Sequence, residues 1–196
     1  MATTRELSLH DASAEPLQLP APPLALGEDR ATYDQLAARI TAAVAPENVI
    51  EEIWVRDVVD LVWEAVRLRR LKAGLFTVGA SDGMAALLRA IGEQYDFKAR
   101  DWAARKPAAV VAVNTQLSAA GLDMSDVATS TFAVRLDQFE RIERMLAAVE
   151  ARRAAALDAI ENRRLAERLR AAALATEAAA ARIEGEFALV PDSGHA

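Results

Sequence analysis

The clearest pattern in the chain is the spacing of apolar positions between Glu47 and Ala73. Val49, Ile50, Ile53, Trp54, Val58, Leu61, Val62, Ala65 and Leu68 recur at helical intervals and predict a helix over about 47–73. Its charges are polarised, with Glu47, Glu51 and Glu52 at the start and Arg67, Arg69, Arg70 and Lys72 at the end. That order complements the helix dipole. Glu52 and Arg56 stand in i,i+4 relation, and Gly74 is the expected stop. Before it, Tyr33, Leu36, Ile40 and Val44 predict a helix over about 29–44, ended by Pro46. After it, Met84, Leu87, Leu88, Ile91 and Tyr95 predict a helix over about 82–95. Shorter helices are expected at 97–105, ended by Pro107, and at 108–120, closed by Gly121.

From Leu122 to Glu184 there is neither Gly nor Pro. As a single helix this stretch is about 90 Å long at 1.5 Å per residue, whereas a globule of this size has a radius of gyration near 16 Å, about. Such a helix must project, pair with a partner or fold back. Phe132, Leu136, Phe139, Ile142, Leu146, Val149, Leu157 and Ile160 form one stripe. Leu165, Leu169, Ile183 and Phe187 form a second, roughly 120° around the helix. The change of face falls at Glu161-Asn162-Arg163-Arg164 and fits either a bend there or a straight helix with different neighbours on its two halves. Glu150 and Arg153 interrupt a long regular heptad seam. Residues 1–28 carry Pro16, Pro20, Pro22 and Pro23 and read as a disordered arm; the alternative is that PLQLPAPPLAL (16–26), apolar enough for it, docks into a groove in an extended conformation.

Composition supports helices over sheets. Hydrophobic residues make up 53% of the 196-residue chain but aromatic ones only 5%, and Ala, Leu, Arg and Glu are strong helix formers. The net charge of −6 argues against a protein whose main task is to coat DNA or an anionic membrane. With no Cys, disulfides and thiolate metal sites are excluded. The N-terminus carries charges where a signal peptide needs an apolar run, and no apolar stretch approaches the roughly 18 residues of a membrane span. A cytoplasmic protein is expected.

Candidate chemistry is sparse. TVGASDG (77–83) is a formal G-x-S-x-G match, the spacing of a nucleophile elbow. An elbow needs a strand before it, a helix after it and a histidine base within reach. The two histidines, His10 and His195, lie one near each end. The alternative is a turn between helices, with Ser81 or Asp82 capping the second one. No catalytic residue is assigned. Asp57, Asp60 and Glu64 share a face, read as solvated rather than metal-binding. The glycines lack the Lys-Ser/Thr ending of a phosphate loop. No metal or other cofactor is expected. Trp54 and Trp63 fall on opposite faces, both expected between neighbouring helices.

The segment from Leu136 to Asn162, through Arg141, Ile142, Arg144, Val149, Glu150, Ala156, Leu157 and Ile160, resembles a recurrent helical segment of bacterial proteins of the rhizobial, acidobacterial and planctomycete type. The run APENVIEEIWVRDVVDLVWEAVRLRRL is similar to that group's acidic-start, Trp- and Arg-rich helix. Met145, Leu146 and Ala151 depart from the pattern. The resemblance implies an all-helical bacterial protein and carries no activity or site residues.

These observations predict an all-α protein. Its parts are a disordered arm (1–28), a small helical bundle (29–121), a long amphipathic region forming one helix or a hairpin (122–188), and a flexible tail (189–196). The leading functional expectation is a non-catalytic interaction or structural protein acting on a protein partner or on itself, anchored by Leu165, Leu169, Ile183 and Phe187. The alternative is a nucleic-acid accessory protein using Arg152, Arg153, Arg163, Arg164, Arg168 and Arg170 against phosphates. Interleaved Glu140, Glu143, Glu150, Asp158, Glu161 and Glu167 argue for a solvated surface instead.

Overall fold

The computed structural model describes the backbone of residues 20–92 and 96–188, and the side chains of 20–92 and 98–182. Among these residues it is all-α, with six helices: α1 (Arg30–Val44), α2 (Val49–Ala90), α3 (Asp96–Ala103), α4 (Pro107–Ala119), α5 (Met124–Val134) and α6 (Leu136–Ala188). Residues 1–19 and 189–196, expected as the outer arm and the tail, lie outside the described residues.

α2 is the spine. It starts at Asn48, whose side chain accepts from the N–H groups of Ile50 and Glu51. It then runs 42 residues, about 63 Å. The helix does not stop at Gly74, and no second helix begins at Ser81 or Asp82, so the expected 47–73 and 82–95 helices are one. It ends at Ala90, followed by Gly92 at φ +87°. The physical reason lies across the helix. A Cβ placed on Gly83 would stand 2.6 Å from the backbone N and 2.7 Å from the Cα of Thr131 in α5. One on Gly79 would stand 2.9 Å from the Thr131 methyl. The two glycines, four apart, let the α5 backbone come close to α2. Ser130 and Arg135 add to this contact: Ser130 donates to the Gly83 carbonyl at 2.9 Å, and Arg135 pairs with Asp82. Burial against α5 outweighs the propensity of glycine to end helices.

Three clusters of side chains form the core along α2. At its start, Tyr33 of α1 packs edge-on against Trp63 with ring centroids 5.4 Å apart, beside Val59. In its middle, Leu61, Ala65 and Leu68 meet Leu146 and Val149 of α6. At its end, Met84 and Leu88 meet Ala99, Trp102, Val113, Leu117 and Val127. Trp63 is thus buried, while Trp54 is half-buried. Arg56 pairs with Asp60 at 3.4 Å rather than with Glu52. Asp60 also accepts from the Tyr33 hydroxyl, so it is not part of a purely solvated acidic face.

α6 runs antiparallel to α2, as the cross-pairs Lys72–Glu143, Arg69–Glu150 and Arg164–Glu51 require. The interruption in the Gly- and Pro-free region falls at Arg135, between α5 and α6. Residues 161–164 are continuous helix, so no bend or hairpin forms there. The region 122–188 is therefore two helices, the second 53 residues long.

Residues 20–28 are docked on α2, in contrast to the disordered arm expected for 1–28. Arg56 donates to the Pro20 carbonyl at 3.2 Å and Arg67 to that of Pro23. Glu28 accepts from the Trp63 indole at 2.7 Å and from the Arg67 Nε at 2.8 Å. Leu24 packs on the Tyr33–Trp63 cluster. No helix among the described residues is long and apolar enough to cross a membrane.

Candidate partner-binding surface on α6

The apolar stripe of α6 is used up at Ile160. Phe139, Leu146, Val149 and Ile160 are buried at 1, 7, 4 and 3% exposure. One turn later Arg164 anchors the helix to the body. Its Nε and Nη2 bond both carboxylate oxygens of Glu51, at 2.7–3.2 Å. Its Nη2 also donates to the carbonyls of Val44 and Ala45, at 3.0 and 2.9 Å. Those carbonyls belong to the end of α1, so one guanidinium ties three elements together. Glu51 is fully buried and accepts in addition from the Glu47 N–H at 2.9 Å. The Arg164 hydrogen bonds hold its carboxyl below the usual carboxylate range, against the opposing effect of burial.

Beyond the clamp the helix leaves the body. Every residue from Arg168 to Arg182 is exposed. Leu165, Leu169 and Leu174 are 55, 62 and 66% exposed. The projection from Leu165 to Ala188 spans about 36 Å at the helical rise. Leu165 and Leu169 therefore sit on a free surface, as anchors of a contact require. Leu174 was not singled out by the sequence, and it lies away from the side that carries them. The side chains of Ile183 and Phe187, the other two expected anchors, lie outside the described residues.

The six arginines expected to bind phosphates divide. Arg164 belongs to the clamp and is unavailable as part of an open strip. Arg163 is half-buried and pairs with Glu167 at 3.0 Å, and Arg153 is half-buried. Arg152, Arg168 and Arg170 remain exposed. The clamp was invisible to periodicity because Glu51 and Arg164 are 113 positions apart. The available signal was an arginine directly after the last buried position of a stripe.

A hollow of about 500 Å³ lies between α2 and α6, lined by Arg69, Lys72, Phe76, Glu143, Leu146 and Glu150. Its charges are closed into the Arg69–Glu150 and Lys72–Glu143 pairs. Ser81 lies in the interior of α2, half-buried, where there is neither the sharp turn nor the strand of an elbow. No group of three or more metal-ligating side chains occurs among the described residues. Comparison of the chain with protein-family models, with curated proteins and with solved structures finds no match.

Proposed function

We propose that this chain is a non-catalytic helical interaction protein whose body holds one end of α6 rigid and presents the other to a protein partner. The observation that carries this reading is the exposed length of α6 beyond Arg164, with Leu165 and Leu169 bare on one side. A helix of this kind isolated in water is only marginally stable. Its continuity with the clamped half keeps it nucleated, which suits a surface that offers apolar anchors at i and i+4 to a groove or a second helix.

A photo-crosslinking residue placed at position 169 in cells tests it. Crosslinks to protein are expected from 169, and none from a position on the buried stripe such as 149. Absence of any protein crosslink at 169 would sink the reading. The nucleic-acid alternative retains Arg152, Arg168 and Arg170, which are exposed on the same stretch. It requires a gel shift at low salt that weakens steeply as salt rises.

A further inference from the structure

The exposed end of α6 has a pattern that specifies its own partner. Asn162, Leu165, Leu169, Ala172, Thr176 and Ala179 follow one another at spacings of 3, 4, 3, 4 and 3, and all six are exposed. This is the a/d alternation of a two-stranded coiled coil. The seam begins only where the helix leaves the body. It carries no charge, and it faces roughly 120° or more away from the buried stripe, so a second helix laid on it would not meet the body. Leu174 falls on the outer side of this arrangement.

We propose that the projecting part of α6 pairs with the same segment of a second copy of this chain, parallel and in register. The inference rests on the reading of α6 as a protein-contact surface and adds the identity and orientation of the partner.

Two features favour this occupant. Asn162 takes the first a position, and a single asparagine at a specifies register and two-strandedness in parallel coiled coils, because it is satisfied by its own counterpart. Thr176 takes another a position, and its hydroxyl already donates to the Ala172 carbonyl at 2.9 Å. It can therefore be covered without losing a partner. In the antiparallel pair that superposes the same six positions, Asn162 would lie against Ala179 and lose the counterpart that satisfies its amide.

The chain has no Cys, which permits a clean test. In the otherwise unaltered full chain, Ala179→Cys is placed on the seam and Ala181→Cys on the outer side. In the parallel pair the two 179 positions meet, within disulfide reach. In the antiparallel pair they are about 25 Å apart. Sedimentation or light scattering should give twice the 21.1 kDa chain mass. Diamide should link Ala179→Cys copies and leave Ala181→Cys copies unlinked, and Leu169→Glu should halve the mass while helicity is retained. A chain of single mass at every concentration overturns the proposal. So does a dimer that survives Leu169→Glu, or one in which Ala179→Cys fails to link. The two readings fail differently: crosslinks in cells from position 169 to another protein, with a monomeric pure chain, remove the second copy but keep the contact surface. No crosslink to any protein removes both.

Discussion

Gly74 and Gly83 lie on the same helix, and the same substitution is expected to act on them with opposite sign. A Cβ at Gly74 meets nothing within 4 Å, so Gly74→Ala gains helix propensity alone and should stabilise by up to about 1 kcal/mol. A Cβ at Gly83 meets the Thr131 backbone, which cannot rotate away. Overpacking costs of about 1–3 kcal/mol then offset and exceed the propensity gain, for a net loss of up to about 2 kcal/mol. Urea midpoints at unchanged slope would read both. Ser81→Ala separates the cap and mid-helix readings. A lost cap costs about 1 kcal/mol, whereas a half-buried serine inside α2 should change stability by no more than a few tenths, in either direction, about. A midpoint drop of the larger size would contradict the helix described here.

The helices depend on their ends and ties as much as on their stripes. Asn48 caps α2 at the point where Glu51 and Arg164 join three elements. Asn48→Ala should cost about 1 kcal/mol, read as a lowered urea midpoint. The segment 20–28 is held to α2 chiefly through Glu28. Its hydrogen bonds from Arg67, with smaller contributions from the Ala25 N–H and the Trp63 indole, bring its pKa from the ordinary 4.5 down to about 2, against the effect of burial. Because the folded value lies below the unfolded one, the stabilisation is full above 4.5 and is lost as pH falls toward 2. Thermal midpoints should therefore decline over that interval, and Glu28→Gln should make the decline shallower while lowering stability at neutral pH. An unchanged profile in Glu28→Gln would show that the tie to α2 contributes nothing.

At the scale of the molecule, α6 is one helix with two environments. Up to Ile160 it is a wall of the core, and from Arg168 to Arg182 it is all surface. Leu169→Glu should consequently leave the stability of the body, compared at concentrations where the wild type is also unpaired, within about 0.5 kcal/mol, and a larger loss there would show that the projection packs on the body. In a self-paired chain the wild-type melting temperature rises with concentration, as mass action requires. The variant's should not.

The local part of this architecture was legible in the sequence. α1, α4 and the stripe ending at Ile160 follow from a 3.6-residue period, which needs only neighbours along the chain. The jump of the stripe at Glu161–Arg164 was equally visible, and it marks the exit of α6 from the body rather than a bend. What glycine and arginine mean was not legible, since each takes its role from the group across from it. Gly79 and Gly83 read as a turn until Thr131 is seen pressed against them. Arg164 read as one of six phosphate-seeking arginines until Glu51 is found beneath it. Residues 20–28 read as a loose arm until Arg67 and Trp63 are seen holding Glu28. Periodicity is set by the backbone of a single helix and survives in one dimension; close approach and charge pairing are set by partners dozens of residues away, and only the tertiary structure brings those partners together.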